Sequence, residues 1–148
     1  MRVLIDTCAL VPGPVRQILF EAATSDLFMP LWSDKIFEEW QCVASKSSKN
    51  ASDAVKIEIL LIRDKWRSSL VSRNKALECT LFLPDMYDRH VLAAAIVGKA
   101  DVLLTNNLKD FPSRILSKHG LTRMSIDSFL WQLFTEAPEL INTFVEKA

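Results

Sequence analysis

The sequence predicts an α/β fold, a sandwich built on a mainly parallel central sheet. Three short apolar runs have the composition of buried strands: RVLIDT (2–7), LFMPLW (27–32) and ADVLLT (100–105). Between these runs, apolar residues recur every three or four positions, which is the pattern of amphipathic helices. Strands that alternate with helices are typical of parallel sheets with helices packed against them.

Length and composition indicate a globular protein with a single domain over residues 1–148. A chain of 148 residues can bury about two-thirds of its unfolded surface without disulfides or a structural metal. Hydrophobic residues make up 49% and charged residues 24%, which argues against disordered and fibrous classes. Lys plus Arg and Asp plus Glu each number 18, so nucleic-acid binding would require a local basic patch.

The cysteines and the N-terminus indicate a reducing compartment. Cys8, Cys42 and Cys79 have no CxxC spacing, so we expect reduced core thiols rather than a zinc site or disulfides. The N-terminus enters a strand-like run at once, without the features of a signal peptide. No stretch approaches the ~20 apolar residues of a membrane span. We therefore expect a cytoplasmic location and no membrane contact.

The first half of the chain contains two predicted strands and three predicted helices. After the first strand two prolines interrupt the backbone, and VRQILFEAA (15–23) then resumes at helical spacing. After the second strand, Ser33 is a suitable N-cap for a helix over residues 34–45. The polar segment SKSSKNASD (45–53) predicts a loop. A long amphipathic helix follows, with apolar residues at steps of four and three: Val55, Ile59, Ile62, Trp66 and Leu70.

The second half continues the alternation. ECTLFL (78–83) is either a strand or an extended lead-in to a helix, which begins after Pro84 and closes at Gly98. The third buried strand is followed by the loop NNLKDFPS (106–113), and a last short strand is predicted near residues 121–125. The C-terminal helix would carry Phe129, Leu130, Leu133 and Phe134 on its apolar side.

Two aspartates lie three positions apart where the helix in PDMYDRHVLAAA (84–95) begins. Asp85 can be the N-cap, and Asp88 would gain from the positive end of the helix dipole. Each interaction is worth about 0.3–2 kcal/mol, and a structural role is sufficient to explain both residues. The same carboxylates could instead belong to an active site.

Polar residues also follow two of the predicted strands. Asp6 closes the first strand, and the loop after the third strand carries Asn106, Asn107 and Asp110. In a parallel sheet the carboxyl ends of the strands share one edge, and α/β proteins bind their ligands in the crevice at that edge. The positions of these residues therefore favour an active site over a set of unrelated caps.

Two glutamates lie on the helix that follows the second strand. Glu39 is one helical turn after Ile36, so we expect it to point inward and Glu38 to face outward. Four or more carboxylates brought to one crevice repel one another, and a hard divalent cation with oxygen ligands relieves that repulsion. The pattern therefore predicts bound Mg²⁺ or Mn²⁺.

Other catalytic chemistries have little support in the sequence. His90 and His119 form neither an HxxxH pair nor a Ser/His/Asp arrangement, so zinc hydrolysis and triad catalysis are not indicated. We expect His90 to be a surface or packing residue. Thr105, at the end of the third buried strand, could bond to the backbone or to a water on the metal.

In four segments the chain resembles the PIN-domain family, and most closely the VapC-like toxin ribonucleases of toxin–antitoxin pairs. The resemblance runs from residue 2 to about residue 131. Its specific part is the pattern DxxDRHxLAAA followed by TxNLxDFP. The matching segments are VLIDTCAL with Asp6, SDKIFEEW with Glu39, PDMYDRHVLAAA with Asp85 and Asp88, and ADVLLTNNLKDFP with Thr105, Asn107 and Asp110.

This resemblance implies a three-layer α/β/α fold and an endoribonuclease, a hydrolase that depends on Mg²⁺ or Mn²⁺. Its expected partners are an RNA substrate and an antitoxin protein. Many PIN domains have an aspartate where this chain has Asn107, so Asp110 would serve as the fourth acid. The metal ligands would be Asp6, Glu39 and Asp88, with Asp85 as a further candidate. The substrate-binding candidates are Thr105, Asn107, Arg89, Lys109 and Arg114.

Two alternative functions are compatible with the same residues. The first is a catalytically inactive PIN-like module that binds RNA or another protein, and the Asn107 departure favours it. The second is a phosphatase of the haloacid-dehalogenase type with Asp6 as nucleophile. That alternative has little support, because the segment DTCAL lacks the second aspartate that those enzymes use as acid and base.

Apolar residues near the C-terminus are more numerous than one face of a small domain is expected to bury. Large exposed apolar patches mark interaction sites, and twofold dimers are the commonest oligomers. The sequence therefore predicts a homodimer, unless these side chains close the core of a monomer. The residues concerned are Phe129, Leu130, Leu133, Phe134, Leu140, Ile141 and Phe144, with Trp66 and Leu70 on the long helix.

Overall fold

The computed structural model describes residues 1–139, and a five-stranded parallel sheet forms the centre of the molecule. All strand pairings in this sheet are parallel, which confirms the predicted fold class. In spatial order from one edge to the other, the strands are β3, β2, β1, β4 and β5. Their bounds are β1 Arg2–Ile5, β2 Met29–Ser33, β3 Leu70–Val71, β4 Val102–Leu104 and β5 Thr122–Met124.

Helices flank the sheet, and together they form the predicted three-layer α/β/α sandwich. Short 3₁₀ turns at Arg67–Ser69, Met86–Asp88 and Leu108–Asp110 connect some of the elements. The α-helices are α1 Thr7–Leu10, α2 Gly13–Thr24, α3 Asp34–Ser47, α4 Lys49–Lys65, α5 Lys75–Glu78, α6 Arg89–Val97, α7 Ser113–Ser117 and α8 Ile126–Glu136.

The central strands are buried on both faces, which explains why their sequences are continuous apolar runs. Leu4 of β1 lies between Leu31 of β2 and Leu103 of β4, and all three side chains are fully buried. Ile5 pairs with Leu104 at the carboxyl ends of β1 and β4. The residues that follow these two strands therefore emerge side by side at one edge of the sheet.

The polar segment 45–53 is helical, and the predicted loop is wrong. Helix α3 continues to Ser47, α4 begins at Lys49, and Ser48 alone separates them in an extended conformation. The Ser48 Oγ accepts a hydrogen bond of 3.0 Å from the Ala51 amide and caps α4. The segment lacks apolar residues because it forms the exposed ends of two helices, not because it is irregular.

The long helix ends earlier than its apolar periodicity indicates. The backbone leaves the helix at Trp66, and Leu70 instead belongs to β3, where it lies beside Trp32. The Trp66 ring packs 5.6 Å from the rings of both Phe20 and Trp32. The apolar pattern extends past the end of the helix because Leu70 of β3 packs against the same core as the apolar face of α4.

Segment 78–83 is not a strand. Helix α5 ends at Glu78, and residues 79–83 form a turn and irregular backbone that leads to α6. Gly98 ends α6 as predicted, and its amide donates to the Ala94 carbonyl over 2.9 Å. The segment leads to α6, but it begins with a helix end and a turn rather than as the extended backbone that was the second alternative.

The structure revises the expectation for the cysteines. All three thiols are free, but only Cys8 is partly buried, whereas Cys42 and Cys79 are exposed. Cys42 lies on the outer side of α3 and Cys79 follows α5, so neither contributes to the core. None of the described helices is long and apolar enough to span a membrane.

The apolar residues of the C-terminal helix are partly absorbed by the core. Phe129 and Leu133 are fully buried, and Phe129 packs edge-on against Phe28. Trp131 and Phe134 remain 75% and 37% exposed. The predicted excess is therefore smaller than the sequence suggests, because Phe129 and Leu133 close the core. Leu140, Ile141 and Phe144 lie outside the described residues.

Candidate active site

Asp6 is a buried carboxylate at the carboxyl edge of the sheet, directly after β1. Its Oδ2 accepts a hydrogen bond of 2.9 Å from the Thr105 hydroxyl, which follows β4. Its Oδ1 accepts a bond of 2.8 Å from the Thr7 amide at the start of α1. The carboxylate is only 6% exposed, and both of its oxygens are held in place.

Glu39 points from α3 toward the same edge, and Glu38 faces outward, as the helical spacing predicts. Glu39 Oε2 accepts a hydrogen bond of 3.3 Å from the Thr7 hydroxyl, and Oε1 pairs with His90 Nε2. Glu38 is exposed and lies 3.8 Å from Lys35 on the surface of α3. The two adjacent glutamates thus have different environments.

Asp85 and Asp88 also differ in their contacts. Asp85 Oδ1 accepts a hydrogen bond of 2.9 Å from the Tyr87 amide, so this exposed residue caps the turn before α6. Asp88 occupies the position before α6, yet its side chain makes no capping hydrogen bond. The half-buried carboxylate of Asp88 therefore does not cap the helix.

Four other carboxylates lie near Asp88, and with it they form a cluster of five. The pKa of Asp88 is raised to about 6, chiefly because burial removes water from the carboxylate. Further upward shifts of this pKa come from the negative charges of Asp85, Asp6, Asp110 and Glu39. These charges act on Asp88 only because the four groups surround it, although they come from distant parts of the chain.

Burial also raises the pKa of Asp6, and the negative charge of Glu39 adds to this effect. The hydrogen bonds from Thr105 and Thr7 act in the opposite direction, since they stabilise the charged carboxylate. A group that is buried, hydrogen-bonded and surrounded by like charges is typical of a functional site.

The donor chemistry of this cluster suits a hard divalent cation, because carboxylate oxygens are the ligands that Mg²⁺ and Mn²⁺ prefer. Within residues 1–139, no three Asp, Glu, His or Cys side chains are arranged so that they could hold one ion in their present positions. The fit is therefore one of donor type and charge, and the side chains would have to move before three of them could contact one ion.

The loop after β4 contributes Thr105 and Asp110 to the cluster in different ways. Thr105 is fully buried and donates to Asp6 while its own hydroxyl accepts the Asn107 amide over 3.1 Å. Asp110 ends the 3₁₀ turn, and its negative charge contributes to the raised pKa of Asp88. Asn107 is exposed, and the Asn106 side chain accepts a hydrogen bond of 3.1 Å from the Ile126 amide, a structural role.

The three basic candidates have different degrees of exposure. Arg89 is half-buried, and its buried Nε has no hydrogen-bond partner among the described residues. Lys109 and Arg114 are exposed, on the turn after β4 and on α7. Arg89 directly follows Asp88 and Lys109 directly precedes Asp110, so each is next in the chain to a member of the carboxylate cluster.

The expectation that His90 is merely a surface or packing residue is wrong. The ring is 7% exposed and pairs with Glu39, so it holds a residue of the cluster. Its sequence context contained a signal, because His90 opens the apolar run HVLAAA and a histidine buried in such a run needs a polar partner. Thr7, which donates to Glu39, gave no comparable signal.

Cys8 is a further neighbour of the cluster that the sequence did not single out. Its Sγ lies 4.0 Å from Asp6 Oδ2 and 3.8 Å from Thr105 Oγ1, and it accepts the Asn106 amide over 3.4 Å. Burial, together with the charge of Asp6, raises the pKa of this thiol. The thiol therefore stays protonated and fills space behind Asp6.

A family model and a curated relative each match part of the chain. The model of the PIN domain family matches residues 2–109. A Mycobacterium tuberculosis protein named "Putative ribonuclease VapC50" is 40% identical over 57 residues, which cover 36% of this chain and 34% of that protein. The match thus spans about a third of the length of this curated relative.

A solved structure also resembles the chain. It is VapBC2 from Rickettsia felis bound to a DNA fragment from their promoter, with a TM-score of 0.51 and 23% sequence identity. The match covers 84% of this chain and 98% of the other. At this identity the similarity establishes a shared fold.

Proposed function

Since the chain belongs to the PIN-domain family, we propose that it is an endoribonuclease that uses Mg²⁺ or Mn²⁺ to hydrolyse RNA phosphodiester bonds in the cytoplasm. The observation that carries this proposal is the convergence of four carboxylates on Asp88 at the carboxyl edge of the sheet. A partly buried cluster of like charges destabilises the fold, and a bound cation would neutralise that charge.

In this proposal the chain's own residues hold the cation, orient its ligands and bind the RNA. None of them acts as a nucleophile. Asp6, Glu39 and Asp88 would hold the cation, with Asp110 as the fourth acid and Asp85 at the rim. A divalent cation at such a site supplies positive charge that stabilises the developing charge on phosphate oxygens. Thr105, Thr7 and His90 fix the orientation of the Asp6 and Glu39 carboxylates. Arg89, Lys109 and Arg114 would hold RNA phosphates, with Asn107 beside the substrate. Thr105 is fully buried, so we assign it to orienting Asp6 rather than to the substrate-binding role expected from the resemblance.

The direct test is cleavage of end-labelled RNA by the purified protein with Mn²⁺ or Mg²⁺ and with EDTA. We expect cleavage only when the metal is present. Glu38→Gln is a matched control, because it removes an adjacent carboxylate that faces outward. Retention of RNA without cleavage in the presence of either metal would instead identify an inactive RNA-binding module.

Asp85→Asn is expected to reduce cleavage only modestly. Asparagine caps a helix about as well as aspartate, so the bond to the Tyr87 amide survives and only a rim charge is lost. Cleavage rates and thermal unfolding of this variant, measured beside Asp88→Asn, test the difference. Equal losses of activity in the two variants at equal stability would refute this division of roles.

We further propose an antitoxin protein as the partner of this chain. The proposal draws on the resemblance to PIN toxins and on the fold neighbour VapBC2, which was crystallised on promoter DNA. A small protein with a DNA-binding segment, encoded next to this chain, should co-purify with it and suppress RNA cleavage. Unchanged cleavage in the presence of that protein would reject this partner.

A homodimer is also proposed. Helix α4 exposes Ile57, Leu60 and Leu61 by 61%, 66% and 63%, a group of apolar side chains that association would remove from water. Light scattering at micromolar concentration should give a mass near twice 16.8 kDa. Leu60→Glu should return the mass to that of the monomer, whereas a native mass that stays at 16.8 kDa at all concentrations would reject the dimer.

A further inference from the structure

We propose that a groove between the segment before Asp85 and helix α7 binds single-stranded RNA that leads away from the cleaved phosphate. In this groove a base stacks on Phe82 while Arg114 and Lys118 hold phosphates. The inference rests on the proposed ribonuclease function and adds a site of substrate recognition to it.

The groove is a pocket of about 480 Å³, with an aromatic residue on one wall and basic residues on the other. Phe82 is 80% exposed on one side, and Arg114, Lys118 and His119 lie on the other, with the buried Leu81 at its base. None of the described residues that line it is acidic. An exposed aromatic ring beside unbalanced positive charge is the combination that proteins use to bind single strands.

The two basic side chains of this groove are available to bind phosphates. Arg114 and Lys118 make no side-chain hydrogen bond or ion pair with any residue in the described range. Four arginines elsewhere on the surface are instead paired with carboxylates, which offset their charge. The pairs are Arg16 with Glu58, Arg63 with Asp34, Arg67 with Asp64 and Arg73 with Glu78.

Both walls of the groove connect directly to the carboxylate cluster. Phe82 lies three residues before Asp85, which corresponds to at most about 11 Å of extended chain. Helix α7 begins three residues after Asp110. Each wall therefore begins within three residues of a member of the carboxylate cluster, so a strand with a phosphate at the cluster can continue into the groove.

The chemistry of the groove favours RNA over a protein partner. Phe82 and Arg114 would suit a protein interface as well, but lysine is depleted at the centres of such interfaces. Two unpaired cations beside an aromatic platform, with no acidic residue in the lining, suit a flexible chain of phosphates and bases. A paired helix would keep its bases stacked inside and would leave Phe82 without a partner. The expected ligand is therefore an unpaired RNA segment.

The test is fluorescence anisotropy with a short labelled single-stranded oligoribonucleotide of mixed sequence. All variants carry Asp88→Asn, so that the RNA stays intact during the titration. Phe82→Ala should weaken binding about tenfold or more. Arg114→Glu with Lys118→Glu should weaken it at least as much and lower the slope of log affinity against log salt by about 1.4, because two phosphate contacts are lost.

Two control variants match these changes on other surfaces. Trp131→Ala removes an aromatic ring that is 75% exposed on α8. Lys99→Glu reverses an exposed charge in the turn before β4, at the opposite edge of the sheet. Both should bind the oligoribonucleotide within about twofold of the Asp88→Asn parent, since neither removes a stacking platform or a phosphate contact on the groove.

The outcomes separate this inference from the proposed function. If the native chain cleaves RNA but the groove variants bind as tightly as their parent, the groove is not the RNA site. The same conclusion follows if these variants keep RNA affinity and lose a co-purifying protein. If the native chain with metal neither cleaves nor binds RNA, the proposed function fails and the groove proposal fails with it.

Discussion

Asp6→Asn and Asp88→Asn are each expected to abolish metal-dependent RNA cleavage while the fold is retained. Both residues are proposed to contact the cation directly, so the loss should exceed the roughly 10- to 100-fold effect of removing a supporting residue. Asparagine keeps the size of the side chain, and its amide oxygen can still accept the Thr7 amide at position 6. The variants therefore remove charge with little change in packing.

The same two variants are expected to be more stable than the native chain when metal is absent. Each removes a negative charge that is disfavoured by burial first and by the neighbouring carboxylates second, the two causes that raise the pKa of Asp88. Because Asp88 is only half-buried, solvent screening limits the gain to about 1 kcal/mol or less.

Thermal unfolding in EDTA measures the stability change, and cleavage of labelled RNA with Mn²⁺ measures the activity change. Glu38→Gln, which removes an outward-facing carboxylate from the same helix as Glu39, should alter neither. Substantial cleavage by Asp6→Asn or Asp88→Asn would show that these carboxylates are not metal ligands. A variant that unfolds would be excluded by its melting curve.

The parts of the fold that depend on local pattern were predictable. β1 and β4 are buried on both faces, so their apolar runs identified them directly. Asp6 and Thr105 could then be placed at the edge, because parallel strands end on the same side of the sheet. The inward direction of Glu39 followed from its distance of one helical turn from Ile36.

Features that depend on partners elsewhere in the chain were not predictable in the same way. Strand β3 has two residues, and it exists because β2 offers it an edge to pair with. The polar segment 45–53 contains the end of α3 and the start of α4, separated only by Ser48. Its polar composition resembles that of a loop and does not reveal these two helix ends. His90 is a site residue only because α6 brings it against Glu39 of α3.

The position of His90 predicts that it supports the proposed metal site through Glu39. Glu39 is partly exposed on a helix surface, where a free side chain would sample several rotamers. His90 holds Oε1 and the Thr7 hydroxyl holds Oε2, so both oxygens are restrained. His90 Nδ1 has no hydrogen-bond partner among the described residues, so Nε2, which contacts Glu39 Oε1, is the ring nitrogen through which His90 acts on the cluster.

Replacing His90 by leucine is therefore expected to weaken Mn²⁺ binding by about 10- to 100-fold, the usual effect of losing a residue that orients a metal ligand. His90→Gln should recover part of the affinity, because its amide can donate from nearly the position of Nε2. Calorimetric titration of each folded variant with Mn²⁺ measures the affinity without relying on RNA cleavage. The comparison of leucine with glutamine separates orientation from packing, since both fill the buried site but only glutamine donates a hydrogen bond. If the two variants bind Mn²⁺ with equal affinity, His90 does not act through its bond to Glu39.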